Sequence, residues 1–164
     1  KTRGCRMAEE RLQPSDSVLP WRRHPGREIV RAAEACDLSL MTSLLDSGTP
    51  VDWADSQGRT ALMAACEHHI EGVTKHDAAV RLLLERGADP NIANAAGHVA
   101  AFLAAFYGHE SCLRELIAAG ARLTEQNNAG HSIAWAATLC NGQTAGHKAC
   151  KDLLVAQSQR ATHP

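Results

Sequence analysis

The sequence predicts an all-α solenoid of about four stacked helix-turn-helix units, and three observations carry that prediction. The first is composition: alanine and leucine are plentiful while aromatics make up only 4% of the 164 residues. That balance favours close-packed helices over a β-sandwich, which wants β-branched and aromatic side chains. The second is a period. Gly87 and Gly120 stand 33 residues apart, as do Gly97 and Gly130; Gly48 to Gly87 and Gly58 to Gly97 are each 39, the same interval plus six. The third is an alternation, within each period, of a short alanine-rich segment and a leucine-rich one. Self-similarity at a fixed spacing is the signature of a stacked architecture.

The second, third and fourth copies open on a glycine turn. In "DSQGRTALMAAC" (55–66), Gly58 supplies the permissive dihedral and Thr60 can cap the first helical turn. A short inner helix follows. Its small pairs Ala32–Ala33 and Ala104–Ala105, matched by Ala65–Cys66 and Ala137–Thr138, let neighbouring helices approach closely. The second helix carries the large apolar load: Leu44–Leu45, Leu82–Leu83–Leu84, Leu116–Ile117 and Leu153–Leu154. It stops at Gly48, Gly87 or Gly120. No single copy can bury its apolar face, so the copies must share one core.

This pattern resembles the ankyrin repeat family, whose unit reads approximately D-x-x-G-x-T-P-L-H-x-A-A-x-x-G-H, then a helix, then L-L-x-x-G-A-D-x-N. The clearest matches are "DSQGRTALMAAC" (55–66), "VRLLLERGADPN" (80–91) and "AAFYGHESCLRELIAAGA" (104–121). Copies fall at 26–54, 55–93, 94–126 and 127–157, making one domain at 26–157 between a leader at 1–25, expected to be disordered, and a tail at 158–164. The resemblance implies short β-hairpin-like turns. No copy keeps T-P-L-H: the chain offers "TALM", "VAAF", "SIAW" and "REIV", so Met63, Phe102, Trp135 and Val30 replace the histidine. The inner helices are therefore expected to be held more by packing than by polar ties, with Phe102 and Trp135 read mostly as core.

Charge is uneven although the net is −1. Residues 1–27 carry seven Lys/Arg against three acids, and the remainder ten against fifteen. No apolar run approaches the ~18 residues that span a bilayer, so no membrane insertion is expected. Six irregularly spaced cysteines and no secretory signal point to a reducing, intracellular compartment, cytoplasmic or nuclear. The start at Lys1 reads as a fragment, with Met7 as a candidate natural start.

"ACEHHIEGVTKHD" (65–77) looks at first like a metal site. In register it is the junction between the two helices of the second copy, lengthened by six; "LCNGQTA" (139–145) lengthens the fourth by five. His76, His109 and His147 share one slot, where the resemblance implies backbone ties between copies. That leaves His68, His69 and Glu71, and adjacent histidines in a loop rarely give zinc its tetrahedral set. No metal, no cofactor and no catalytic residue are expected. "GQTAGHK" (142–148) lacks the spacing of a phosphate loop. Cys112 and Cys150 read as buried small hydrophobes, whereas Cys36 and Cys140 fall at turns and read as the more reactive thiols.

The resemblance implies recognition through the concave side, formed by hairpin tips and the exposed face of the inner helices. The tips offer Trp53, Gln57 and Arg59, then Ala95, Ala96 and His98, then Asn128 and His131. The inner helices offer Glu67 and His68, then Phe106 and Tyr107, then Leu139 and Cys140. Arg59, His98 and His131 occupy one slot, a ladder whose histidines should protonate near pH 6. Phe106 and Tyr107 spend two of six aromatics at slots the family leaves variable, and aromatics on a rigid surface serve as anchors. The reading is a non-catalytic protein-protein interaction scaffold, monomeric, with a protein partner and no small-molecule substrate. The alternative is the substrate-targeting segment of a larger multidomain enzyme such as a ubiquitin ligase or kinase; nucleic-acid binding through the basic arm ranks third.

Overall fold

Three turns along the chain are built alike from their own side chains. Asp55 Oδ1 accepts the N–H groups of Gln57 (2.8 Å) and Arg59 (3.0 Å). Asn94 Oδ1 does the same for Ala96 and His98 (3.0 and 2.9 Å), and Asn127 Oδ1 for Ala129 and His131 (3.0 and 2.9 Å). In each, a short polar side chain closes a local ring that the backbone then repeats, residue 59, 98 or 131 giving its carbonyl to residue 55, 94 or 127 at 3.0 Å. Successive tips are tied in turn: Gln57 O accepts from Ala95 N at 2.9 Å and Ala96 O from Asn128 N at 3.1 Å. Gly97 is needed on both counts. Its φ is +77°, and a Cβ there would lie 2.8 Å from the backbone nitrogen of Asn128.

The computed structural model describes residues 25–67, 76–139 and 145–161, with side chains to 159. The leader through residue 24, His68, His69, Glu71, Cys140 and most of both lengthened junctions lie outside the described residues. Eight helices follow in order: α1 (Pro25–Glu34), α2 (Leu38–Asp46), α3 (Ala61–Glu67), α4 (His76–Glu85), α5 (Ala100–Tyr107), α6 (Glu110–Ala118), α7 (Ile133–Leu139) and α8 (Ala145–Ala161). Extended pairing among the described residues is limited to two isolated bridges, Ala54 with Thr60 and Gln126 with Ser132. Odd-numbered helices pack side by side as an inner row and even-numbered ones as an outer row. The expected helical solenoid with hairpin-like turns is what the chain forms.

Thr60 Oγ1 accepts the Met63 N–H at 3.4 Å and Ser132 Oγ the Trp135 N–H at 3.2 Å, so hydroxyls open α3 and α7. The outer helices close alike too: Leu44, Leu83 and Leu116 give their carbonyls to the N–H groups of Thr49, Ala88 and Ala121. The fourth copy lacks this stop. Ser158 stands where the others have Gly48, Gly87 and Gly120, its hydroxyl donates to Val155 O at 2.8 Å, and α8 runs on to Ala161.

Four core slots recur through the stack. Met41, Val80 and Leu113 share one; Leu44, Leu83 and Leu116 the second; Ile29, Leu62 and Ala101 the third; Ala33, Cys66 and Ala105 the fourth. All but the half-buried Leu44 are sealed from solvent. Burying one such leucine contributes about 1.5–3 kcal/mol. In the last copy these slots hold Lys151, Leu154, Ala134 and Thr138, of which only Leu154 is even half-buried. A hollow of about 620 Å³, walled by Ile117, Leu123 and Val155 among others, lies over them.

The shared histidine slot does two jobs. His147 Nε2 donates to Phe106 O at 2.9 Å and so binds the fourth copy to the third. His76 Nδ1 instead lies 3.1 Å from Ala65 O of its own copy and 3.2 Å from Cys36 Sγ of the previous one. A carbonyl can only accept, so the His76 proton belongs on Nδ1.

Candidate partner-binding groove

One slot on the inner helices passes through Glu34, Glu67, Phe106 and Leu139; the neighbouring slot passes through Val30, Met63, Phe102 and Trp135. At the tips, Arg59, His98 and His131 form a third series above them. Side chains from these three series meet in a groove of about 300 Å³, lined by Glu67, His98, Phe102, Leu103, Phe106, Tyr107, Asn127, His131, Trp135 and Leu139. Six of the residues expected at a binding surface therefore come together: Glu67, His98, Phe106, Tyr107, His131 and Leu139.

His68 and Cys140 lie outside the described residues, and the remaining ones do not line the groove. Trp53 packs over the first turn of α1, so close that a Cβ on Gly26 would lie 2.2 Å from its ring. Gln57 gives its carbonyl to the next tip, and Asn128 donates from Nδ2 to Ala95 O at 2.9 Å. Arg59 stands beside the groove rather than in its wall. Its guanidinium meets Glu34 at 2.5 Å, Glu67 at 2.9 Å and Asp55 at 3.4 Å. Burial alone would lower the Arg59 pKa, but the Glu67 and Glu34 carboxylates outweigh it and raise it. Burial likewise works against the ionised Asp55, yet the N–H groups of Arg59 and Gln57 and the guanidinium hold its carboxyl below the usual range.

The turns beneath the tip histidines differ from the one beneath Arg59. Where Arg59 has Asp55, His98 and His131 have Asn94 and Asn127, so neither histidine has a turn carboxylate beside it. His98 stacks on Phe102 with ring centroids 4.4 Å apart and 6° between planes, and His131 on Trp135 at 3.5 Å and 7°. Asn127 Nδ2 donates to His98 Nε2 at 3.1 Å, which requires a lone pair on that nitrogen. Burial lowers the His98 pKa below the ordinary imidazole value, the Glu67 carboxylate opposes that, and His131 adds to it. The sequence-based expectation of titration near pH 6 therefore moves downward for His98.

Phe102, Trp135, Leu103 and Asn127 are wall residues that sequence reasoning did not select. Phe102 and Trp135 were read as core, and Phe102 is indeed buried; Trp135 is half-buried. The signal was their position one helical turn from His98 and His131. Phe106 and Tyr107 meet edge to face at 5.2 Å, which fixes both rings.

Cys36 corrects another expectation. It sits at a turn, with φ of +50° where the third copy has Gly108 at +75°, yet it is buried beneath His76. Burial, with nearby Cys112 and Asp77, pushes its thiol pKa up, which works against the reactive thiolate. The Cys66 thiol is raised well above its usual value by its hydrogen bond to Cys112 and by burial, and burial pushes Cys150 up to about 12. Among the described residues no group of three or more His, Cys, Asp or Glu side chains is placed to hold a metal ion. No described helix is long and apolar enough to cross a membrane.

A family model for ankyrin repeats, three copies long, matches residues 29–127. The chain belongs to the ankyrin repeat family. It is similar to the ankyrin repeat domain-containing protein 63 of Homo sapiens, with 34% identity over 155 residues, covering 88% of this chain and 38% of that protein. The Mus musculus protein of the same name is 31% identical over 155 residues, covering 88% and 37%. The chain thus spans less than two-fifths of the length of these relatives. Ankyrin repeats generally mediate protein-protein interaction and are generally non-catalytic. The fourth helix pair lies beyond the family match but packs like the others, α7 on α5 and α8 on α6.

Proposed function

We propose that this ankyrin domain is a non-catalytic scaffold that binds a protein partner in the groove between its tips and inner helices. The observation that carries the reading is the convergence of Phe106, Leu139 and the two histidine-on-aromatic stacks, from two successive copies, on one open hollow. A surface pre-ordered by backbone bonds between tips loses little entropy on docking, so its aromatic contacts go largely into affinity. The four described cysteines are free thiols, which supports a reducing, intracellular compartment.

The test is affinity capture from native lysate with the wild-type chain and with Phe106→Ala/Tyr107→Ala, followed by calorimetry on any protein captured. The expected result is a partner held by the wild type and lost by the variant, with about 2 kcal/mol or more of binding free energy removed. A partner retained equally by both would place recognition on another surface.

A further inference from the structure

We propose that the wall of the groove is latched by a hydrogen bond that only a neutral His98 can make, and that acid releases it. As a regulator of binding this rests on the groove being the partner surface; as a property of the free chain it does not. The latch joins the tips of the third and fourth repeats. Asn127 Oδ1 accepts the N–H groups of Ala129 (3.0 Å) and His131 (2.9 Å). Those two bonds fix the amide's orientation, so its Nδ2 is the atom that faces His98 Nε2 at 3.1 Å. An amide nitrogen only donates, and the imidazole therefore offers a lone pair at Nε2 and carries its proton on Nδ1. A second proton, on Nε2, sets N–H against N–H. Asn127 cannot turn its oxygen to the new donor without giving up both backbone bonds, so the imidazole is the group that moves.

That movement reaches the groove. His98 stacks on Phe102 at 4.4 Å, and His98, Phe102 and Asn127 all line the hollow. The other bonds between these tips, Asn128 N to Ala96 O and Asn128 Nδ2 to Ala95 O, join groups that do not titrate. Acid therefore loosens the wall and not the stack. The charged and titratable groups around His98 are Glu67 on α3, His131 on the fourth tip, and Arg59 on the second tip, whose guanidinium is held by Glu34, Glu67 and Asp55. Burial lowers the His98 pKa, Glu67 opposes this and His131 adds to it. Glu67 is also the one carboxylate in the described wall, and so the acceptor left to the new N–H once the bond to Asn127 is broken. The preceding seam has no such latch. Its equivalent pair is Arg59 and Asn94, and a guanidinium has no lone pair to offer. A partner seated in the groove thus meets a pre-ordered surface above the His98 pKa and a loosened one below it.

The experiment is a pH titration of the whole chain by nuclear magnetic resonance. It follows the His98 ring nitrogens, the Asn127 side-chain amide and, as groove reporters, the Phe102 ring and the Leu103 methyl groups. Expected near neutral pH is an unprotonated Nε2 and a protonated Nδ1. On acidification, a midpoint below about 6.5 is expected, at which the Asn127 amide and the groove reporters move together. His98→Gln, whose Oε1 can accept from Asn127 at every pH, should remove most of that movement. Asn127→Asp is the sharper variant. Asp55 already builds the same turn with a carboxylate, so Asn127→Asp keeps the turn while presenting Oδ2 where Nδ2 was. The bond then forms with a protonated His98, and the midpoint should rise by about one pH unit or more. A neutral His98 protonated on Nε2, a His98 midpoint that no reporter shares, or a midpoint unmoved or lowered by Asn127→Asp would overturn the latch. None of these results touches the groove reading, which falls instead if a partner is retained by Phe106→Ala/Tyr107→Ala.

Discussion

The third and fourth repeats use the same slots for opposite ends. Leu113 and Leu116 of α6 are sealed by the repeat that follows, whereas Lys151 and Leu154, their counterparts on α8, lie beneath an open hollow. Ala101 and Ala105 on α5 are buried; Ala134 and Thr138 on α7 are exposed. Two of the four slots that are apolar in the third repeat hold polar side chains in the fourth, where no described residue covers them. The lesson is that a slot's chemistry is set by its neighbour and not by its own repeat.

The sharpest way to break that contrast is to exchange its signs. Leu113→Lys should cost about 4 kcal/mol or more, because the ammonium is buried without a partner, and urea unfolding should show loss of the cooperative transition. Lys151→Leu should change stability by less than about 0.5 kcal/mol, as surface substitutions do. Equal costs would mean the fourth repeat is covered as the third is. Next in size, Leu116→Ala should cost about 2–5 kcal/mol and Leu154→Ala about 1 kcal/mol, read from the same unfolding curves. Gly146→Ala sharpens the contact between these repeats, since its Cβ would lie 2.2 Å from Gly108 O; a cost of about 1–3 kcal/mol is expected, and a wild-type melting curve would show that the backbones are not so close.

The smallest effect is that of pH. A histidine whose folded pKa is lowered binds fewer protons in the native state than in the unfolded one. Stability should therefore be fully present above about pH 6.5 and decline as pH falls from there toward the lowered folded value. His98→Gln should flatten the profile in that window, as followed by thermal melts at several pH values. A wild-type profile that rises toward acid would contradict the direction of the shift.

Much of the fold was legible because repetition is visible in one chain: Gly58, Gly97 and Gly130 mark the tips, and the small pairs mark where helices touch. The overrun of α8 was missed: the sequence reading ends the fourth copy at 157 with a tail from 158, although Ser158 stands where the other copies have a stop glycine. The groove was legible in part. Phe106 and Leu139 follow from register alone, but stacking of His98 on Phe102 and of His131 on Trp135 depends on rotamers, and period does not specify rotamers. Arg59 looked like a cation offered to a partner; only by setting Glu34 and Glu67 in a common slot beside it does its neutralisation become readable. Cys36 was misread because its cover, His76, comes from the next repeat, 40 residues away.

The bonds from Gln57 to Ala95 and from Ala96 to Asn128 involve backbone atoms, so the curvature of the inner surface depends little on which side chains project from it. Substitutions at positions 34, 67, 106 and 139 then leave these backbone ties between the tips in place. If the groove is the recognition surface proposed above, a handful of such replacements would exchange one target for another without rebuilding the frame that presents them.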